Sequence, residues 1–219
     1  MRVFIVVSAL FIISVKSQSQ VFVNIDSLTE KMCTTFRTEK FDSDSLRVIN
    51  MFSKHLIPYS SKLTDQELDS VFSKCFFRLQ LSCNEFKIAL EQQDINKGDF
   101  SAVDTLLQSF ATKNECAAFF KTKKFMYLEP SGDTTHVLMT ANSWTDHFKD
   151  GSISRLSLIR TSDYDFELTF IESTNFTRKN LSNTGDKYLY RILEQKENYY
   201  VMLLSIPGNS RRYKFKMYF

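Results

Sequence analysis

The spacing of apolar positions changes half-way along the chain. Between residues 24 and 122 they recur at intervals of three and four, the period of amphipathic helices. The clearest case is LTDQELDSVFSKCFFRL, in which Leu68, Val71, Phe72, Cys75, Phe76 and Leu79 share one face. Thr64 stands in the N-cap position and Glu67 follows three residues later, so the two can form a capping box. SDSLRVINMFSKHLI repeats the pattern with Leu46, Ile49, Phe52 and Leu56, and Pro58 is expected to end that helix. DFSAVDTLLQSF offers a further stripe of Val103, Leu106, Leu107 and Phe110. With residues 28–36 and 84–92, five or six short helices are expected. Their stripes are too apolar for a free surface, so the helices should share a core.

From about Lys124 the period falls to two. In YDFELTFI, Tyr164, Phe166, Leu168 and Phe170 lie on one side and Asp165, Glu167 and Thr169 on the other. RRYKFKMYF alternates in the same way, with Tyr213, Phe215, Met217 and Phe219 inward and Arg212, Lys214 and Lys216 outward. Such alternation marks antiparallel strands with one buried face. KYLYRILEQKENYYVMLLSIPGNSRRYKFKMYF reads as three strands joined by turns near residues 195–198 and 207–210, and FMYLEP, HVLMTA and SISRLSLIR add earlier ones. About seven strands follow one another, and neighbours in sequence should be neighbours in space. The expected class is α+β, with a helical, cysteine-containing region over residues 18–123 and an antiparallel meander over residues 124–219.

The tandem aromatic strands, and NSWTDHFKDGSISRLSLIR with its Trp ahead of a strand, resemble the lipocalin and calycin group. That resemblance implies a small barrel. The chain departs from the group's pattern in four ways. It has no Gly-x-Trp at the first strand, its Trp lies inside the β region, residues 124–219 are short for eight barrel strands, and a long helical region precedes the strands. No ligand residue is carried over from the group. An open, curled sheet covered by the helices is the other expectation.

The first residues, MRVFIVVSALFIISVKSQ, read as a signal peptide. Arg2 gives a positive start, residues 3–15 are apolar apart from Ser8 and Ser14, and Val15 and Ser17 fit a cleavage site. The apolar core is shorter than the roughly 20 residues of a membrane span. Cleavage after residue 17 would give a secreted, extracellular protein with no span. It would also remove Arg2 and Lys16, leaving 26 basic against 25 acidic residues. A nearly neutral chain gives no reason to expect nucleic acid or an anionic membrane as a partner.

Secretion changes the meaning of two other features. Cys33, Cys75, Cys83 and Cys116 are an even set in an oxidising compartment, so two disulfides are expected, with three pairings open. Short zinc-type pairs such as C-x2-C are absent. NFTRKNLSNTG holds two glycosylation patterns, at Asn175 and Asn180, in what reads as the longest polar connection of the β region. An outward-facing, glycan-bearing loop is expected there.

Catalytic motifs are missing. His55, His136 and His147 form no metal-type spacing, and the sequence has no G-x-S-x-G, P-loop or G-x-G-x-x-G. His136 and His147, with Asp133 and Asp146 nearby, are the best acid–base or metal grouping the sequence offers. No catalytic residue, metal or cofactor is expected. Arg211, Arg212, Lys214 and Lys216 form a basic row that could meet an acidic partner, but such rows more often protect a strand edge. The aromatic residues are the strongest remaining signal. Tyr164, Phe166, Phe170, Tyr188, Tyr190, Tyr200, Tyr213 and Phe215 should face the inside of the sheet, either filling it or lining a ligand site. The expected function is a non-enzymatic binding protein for a small apolar ligand. The alternatives are a protein-interaction factor in defence or signalling, and a hydrolase with residues drawn from distant parts of the chain.

Overall fold

The computed structural model describes residues 22–91, 99–129, 131–209 and 211–219. The expected signal peptide, residues 1–17, lies outside them.

Four helices come first: α1 (Ile25–Thr38), α2 (Asp44–Ser60), α3 (Asp65–Ser82) and α4 (Asn84–Glu91). Each of the first three starts on a side-chain cap. Asn24 Oδ1 accepts from the Ser27 N–H, Ser43 caps Leu46, and Thr64 and Glu67 form the reciprocal capping box. The helices bury one cluster that includes Met32, Phe36, Met51, Phe52, Cys75 and Phe86. A disulfide between Cys33 and Cys83 ties α1 to the end of α3 across 50 residues.

Three helical expectations need correction. The α2 stripe is rotated, because Met51, Phe52 and Leu56 are buried while Leu46 and Ile49 are exposed. Pro58 lies inside α2, which runs on to Ser60. A proline this close to the end costs little of the hydrogen-bond ladder. The stripe at 103–110 forms no helix. Residues 101–103 are instead a short strand, β1 (Ser101–Val103), and the chain then runs on without a helix, with Leu106 and Phe110 exposed. The N–H groups of Phe110 and Ala111 both donate to the Leu193 carbonyl, 2.7 and 3.0 Å away, so the sheet itself supplies what a helix would have supplied. Helix α5 (Lys113–Lys121) follows, opened by a second capping box of Thr112 and Glu115.

The expectation of two disulfides is also corrected to one. Cys75 and Cys116 are both free and buried, the first in the helical cluster and the second in the barrel cluster. They belong to different cores, so they cannot meet. Burial pushes the Cys75 thiol up to about 12, and that of Cys116 upward too, which leaves both as small apolar side chains.

The β region has eight consecutive strands: β2 (Lys124–Leu128), β3 (Thr134–Met139), β4 (Ser143–His147), β5 (Ile153–Arg160), β6 (Asp165–Ser173), β7 (Lys187–Gln195), β8 (Tyr199–Ser205) and β9 (Arg212–Tyr218). Each pairs antiparallel with the next, and β9 returns to β2 through Met126 and Tyr218. The sheet is therefore closed, an up-and-down barrel like that of lipocalins and not an open sheet. β1 adds a ninth strand outside, against residues 212–214 of β9. The alternation gives the closed sheet a largely apolar inside. Phe125 and Tyr127, Trp144 and Asp146, Phe166, Leu168 and Phe170 all point inward from alternate positions.

Candidate functional site

The barrel interior is not uniform. One end is filled. α5 inserts Phe119, whose ring lies 4.8 Å from Phe125, 5.5 Å from Phe166 and 5.1 Å from Tyr200. Phe120 meets Phe166 at 5.7 Å, and the Tyr200 hydroxyl donates to the Glu115 carbonyl at 3.3 Å. These rings are a plug.

The other end is hollow, with a cavity of about 360 Å³. That lies at the small end of the roughly 300–1,000 Å³ seen for ligand sites. Four rings make one continuous wall. Trp144 is 6.0 Å from Tyr190, Tyr190 is 6.2 Å from Phe215, and Phe215 is 6.0 Å from Tyr127. Leu156, Leu168 and Phe170 complete the apolar surface.

The mouth is covered by the helical region. Phe77, Gln80 and Leu81 of α3 line the cavity. So does helix α6 (Phe176–Leu181), formed between β6 and β7. Phe77 packs against Phe176 with ring centres 5.9 Å apart. The Arg78 guanidinium, from α3, pairs with Asp186 beside α6 and with Asp26 on α1. Asn183 also donates to Asp26, at 3.2 Å. The cap is thus held by a short polar network as well as by packing.

The stretch expected as an outward, glycan-bearing loop is therefore a helix across the barrel mouth. Asn175 is its N-cap, with Oδ1 accepting from the Arg178 N–H at 3.1 Å and Nδ2 donating to the Ser152 hydroxyl at 2.9 Å. Asn180 Nδ2 donates to the Phe176 carbonyl at 2.8 Å. The stretch is helical where a loop is expected, with Asn175 capping it and Arg178 reaching the cavity lining, while none of the residues of α6 is buried.

That floor carries the cavity's chemistry. Asp146 is 7% exposed, and its Oδ1 accepts from the Trp144 indole N–H at 2.8 Å. Burial pushes the Asp146 carboxyl up to about 6, against the pull of Arg178 and of hydrogen bonds from Trp144 and Tyr127. Arg178, from α6, donates to Glu129 at 2.6 Å, and the Thr135 hydroxyl donates to the same carboxylate oxygen at 2.9 Å. Burial pulls the Arg178 guanidinium down, but Tyr127, Glu129 and Asp146 more than offset this and it stays charged. The Tyr127 and Tyr190 hydroxyls are driven upward by burial and remain neutral. The Arg178–Glu129 pair also borders a second, more open groove of about 650 Å³ that runs past Asp133 and Asp150.

Of the eight aromatic residues expected to face the interior, Phe170, Tyr188, Tyr190, Tyr213 and Phe215 border the cavity. Phe166 and Tyr200 belong to the filled end, and Tyr164 packs at its edge. The Tyr188 hydroxyl is occupied by Ser182. His136 and His147 do face each other across β3 and β4, but on the exposed outer surface, away from the cavity. His55 bonds Thr35 at 2.8 Å. In the basic row, Arg212 donates to the Asp104 carbonyl at 3.2 Å and Lys216 pairs with Asp99 at 2.8 Å. Among the described residues the one grouping of three close metal-ligating side chains is Cys33, Cys83 and Glu85, and its two sulfurs are spent in the disulfide.

No protein-family model matches the chain, and no curated protein or solved structure is significantly similar to it. The geometry of the cavity therefore carries the functional reading.

Proposed function

We propose that the protein is a non-enzymatic carrier or binding protein that holds one small, largely apolar molecule inside the barrel. The observation that carries this reading is the unequal filling of the interior. Close packing is the rule in protein cores, and the α5 end obeys it. The α3–α6 end keeps a hollow walled by Trp144, Tyr190, Phe215 and Tyr127, with a few polar groups gathered at one place. The reading includes secretion after removal of residues 1–17, which the Cys33–Cys83 disulfide supports, since such bonds persist in oxidising compartments. Glycosylation at Asn175 would require its Nδ2 to leave Ser152.

One feature favours an extracellular protein partner as a second reading. Leu46, Ile49 and Ile57 stand 49, 61 and 66% exposed on α2.

A thermal-shift screen of small apolar compounds tests the carrier reading, because a ligand that binds only the folded state raises the melting temperature. Saturable rises are expected, and they should disappear in a Leu156→Phe/Leu168→Phe variant whose hollow is filled. If no compound raises the melting temperature, the reading fails.

A further inference from the structure

The cavity floor is chemically lopsided. Asp146 is a buried carboxylate on an aromatic wall, and among the described residues it forms no salt bridge. The nearest strong cation, Arg178, is committed to Glu129 at 2.6 Å. Counting Glu129 and Asp146 against Arg178, the floor carries one net negative charge when Asp146 is ionised. Lys87 also lines the hollow, but from α4, with its Nζ 4.0 Å from the centre of the Tyr213 ring. The groups that act most on Asp146 are Arg178, Trp144, Glu129 and Tyr127. A buried charge without an ion-pair partner is expensive to keep, and one that lines a cavity is a candidate binding position.

The hydrogen bonding points the same way. A carboxylate can accept about four hydrogen bonds. The Trp144 indole supplies one, which leaves acceptor capacity next to the hollow. The rings of Trp144, Tyr127 and Tyr190 line the hollow beside this carboxylate, and an aromatic ring attracts a cation but gives an anion nothing. An anionic head seeking Arg178 would have to stand beside both Glu129 and Asp146.

The geometry points to an organic cation as the ligand: a protonated amine on a compact apolar or aromatic body, its N–H groups donating to Asp146 and its charge resting among the rings of Trp144, Tyr127 and Tyr190. This inference rests on the reading of the barrel as a ligand carrier and specifies the ligand's head group. Recognition needs the ionised form of Asp146, so affinity should fall on acidification. The groups facing this carboxylate are Arg178 from α6, Glu129 just after β2, Tyr127 from β2, Trp144 from β4 and Tyr190 from β7. The tyrosines and the arginine do not change charge in the range where Asp146 titrates.

Trp144 is the chain's single tryptophan, so its fluorescence reports the floor directly. Three probes share one body and differ in the head: phenylbutylamine, phenylbutanol and phenylbutanoate. At pH 7.5 the amine should bind at least tenfold more tightly than the alcohol. Asp146→Asn should abolish that preference by weakening the amine, with the far-ultraviolet circular dichroism unchanged. In the wild type, lowering the pH to 5 should weaken the amine several-fold and leave the alcohol unaffected, a measurement that does not depend on the variant folding. Equal binding of amine and alcohol would overturn the cation assignment and leave the carrier reading standing. Tightest binding of the butanoate would overturn it in favour of Arg178 recognising an anion. If none of the three binds, the carrier reading falls with it.

Discussion

Replacing Asp146 with Asn should change how stability depends on pH. The folded protein holds this carboxyl at about 6, up from an ordinary 3.8, chiefly because the side chain is buried. A raised carboxyl pKa means that the folded state binds its proton more tightly than the unfolded chain does. The resulting stabilisation is fully present below the unfolded value and is lost as the pH rises through the folded one. Each pKa unit corresponds to about 1.4 kcal/mol. The total effect of Asp146 is therefore about 3 kcal/mol, of which about 2 kcal/mol falls between pH 4.5 and 7.5. Asparagine resembles the protonated form at every pH and carries no such dependence. Carboxylates held low by their partners, such as Glu67 against the Thr64 N–H and Asp165 beside Arg191, act in the opposite direction but are common to both proteins and cancel in the difference. Urea unfolding of wild type and Asp146→Asn at a series of pH values measures that difference. It should move in favour of the variant by about 2 kcal/mol from pH 4.5 to 7.5. A difference that stays flat, or moves the other way, would refute burial as the dominant influence on the Asp146 carboxyl.

The two ends of the barrel should respond differently to truncation. Phe166→Ala, in the packed end and 1% exposed, should cost about 3–5 kcal/mol in chemical unfolding, whereas Phe170→Ala beside the hollow should cost clearly less; equal losses would mean that the hollow is packed. Cys33→Ser opens the 50-residue cross-link and should cost about 4 kcal/mol by the loop-entropy estimate, read from urea midpoints of the otherwise identical protein. Asn175→Ala removes the α6 N-cap and should cost about 1 kcal/mol. It should also speed ligand release in stopped-flow experiments, because α6 covers the cavity; an unchanged release rate would show that α6 is not part of the route.

The period-two alternation of the second half was enough to place β7, β8 and β9 and their turns, because each strand buries one face and a slip of one residue would turn the whole face outward. Barrel closure was less legible. It depends on β9 reaching β2, a contact between the ends of the meander that no local pattern encodes. The 103–110 stripe failed for a related reason: its helical spacing was overridden by pairing with β9 and by the Leu193 carbonyl. Helix α5 does carry a signal, the Thr112-x-x-Glu115 capping box, but its apolar stripe is shorter than those of α1, α2 and α3. The floor of the site was half visible. Trp144 and Asp146 stand two residues apart in a strand and so share a face, and an acidic residue on an aromatic, inward face is a cue the alternation contains. Arg178 gave no such cue. It lies in a stretch whose polarity and sequons suggested an exposed loop, and only the three-dimensional meeting of α6 with the loop after β2 brings it to Glu129.

Energy transfer from Trp144 tests the central claim most directly, because this single tryptophan forms part of the cavity wall. The acceptor is a neutral apolar dye such as N-phenylnaphthylamine, titrated into the intact protein with excitation of the tryptophan. A ligand-binding barrel predicts saturable transfer at one dye per chain, lost in the Leu156→Phe/Leu168→Phe variant while its melting temperature holds. Dye binding without transfer from Trp144, transfer that survives filling of the hollow, or no uptake at all would contradict the claim that the barrel interior is a binding site.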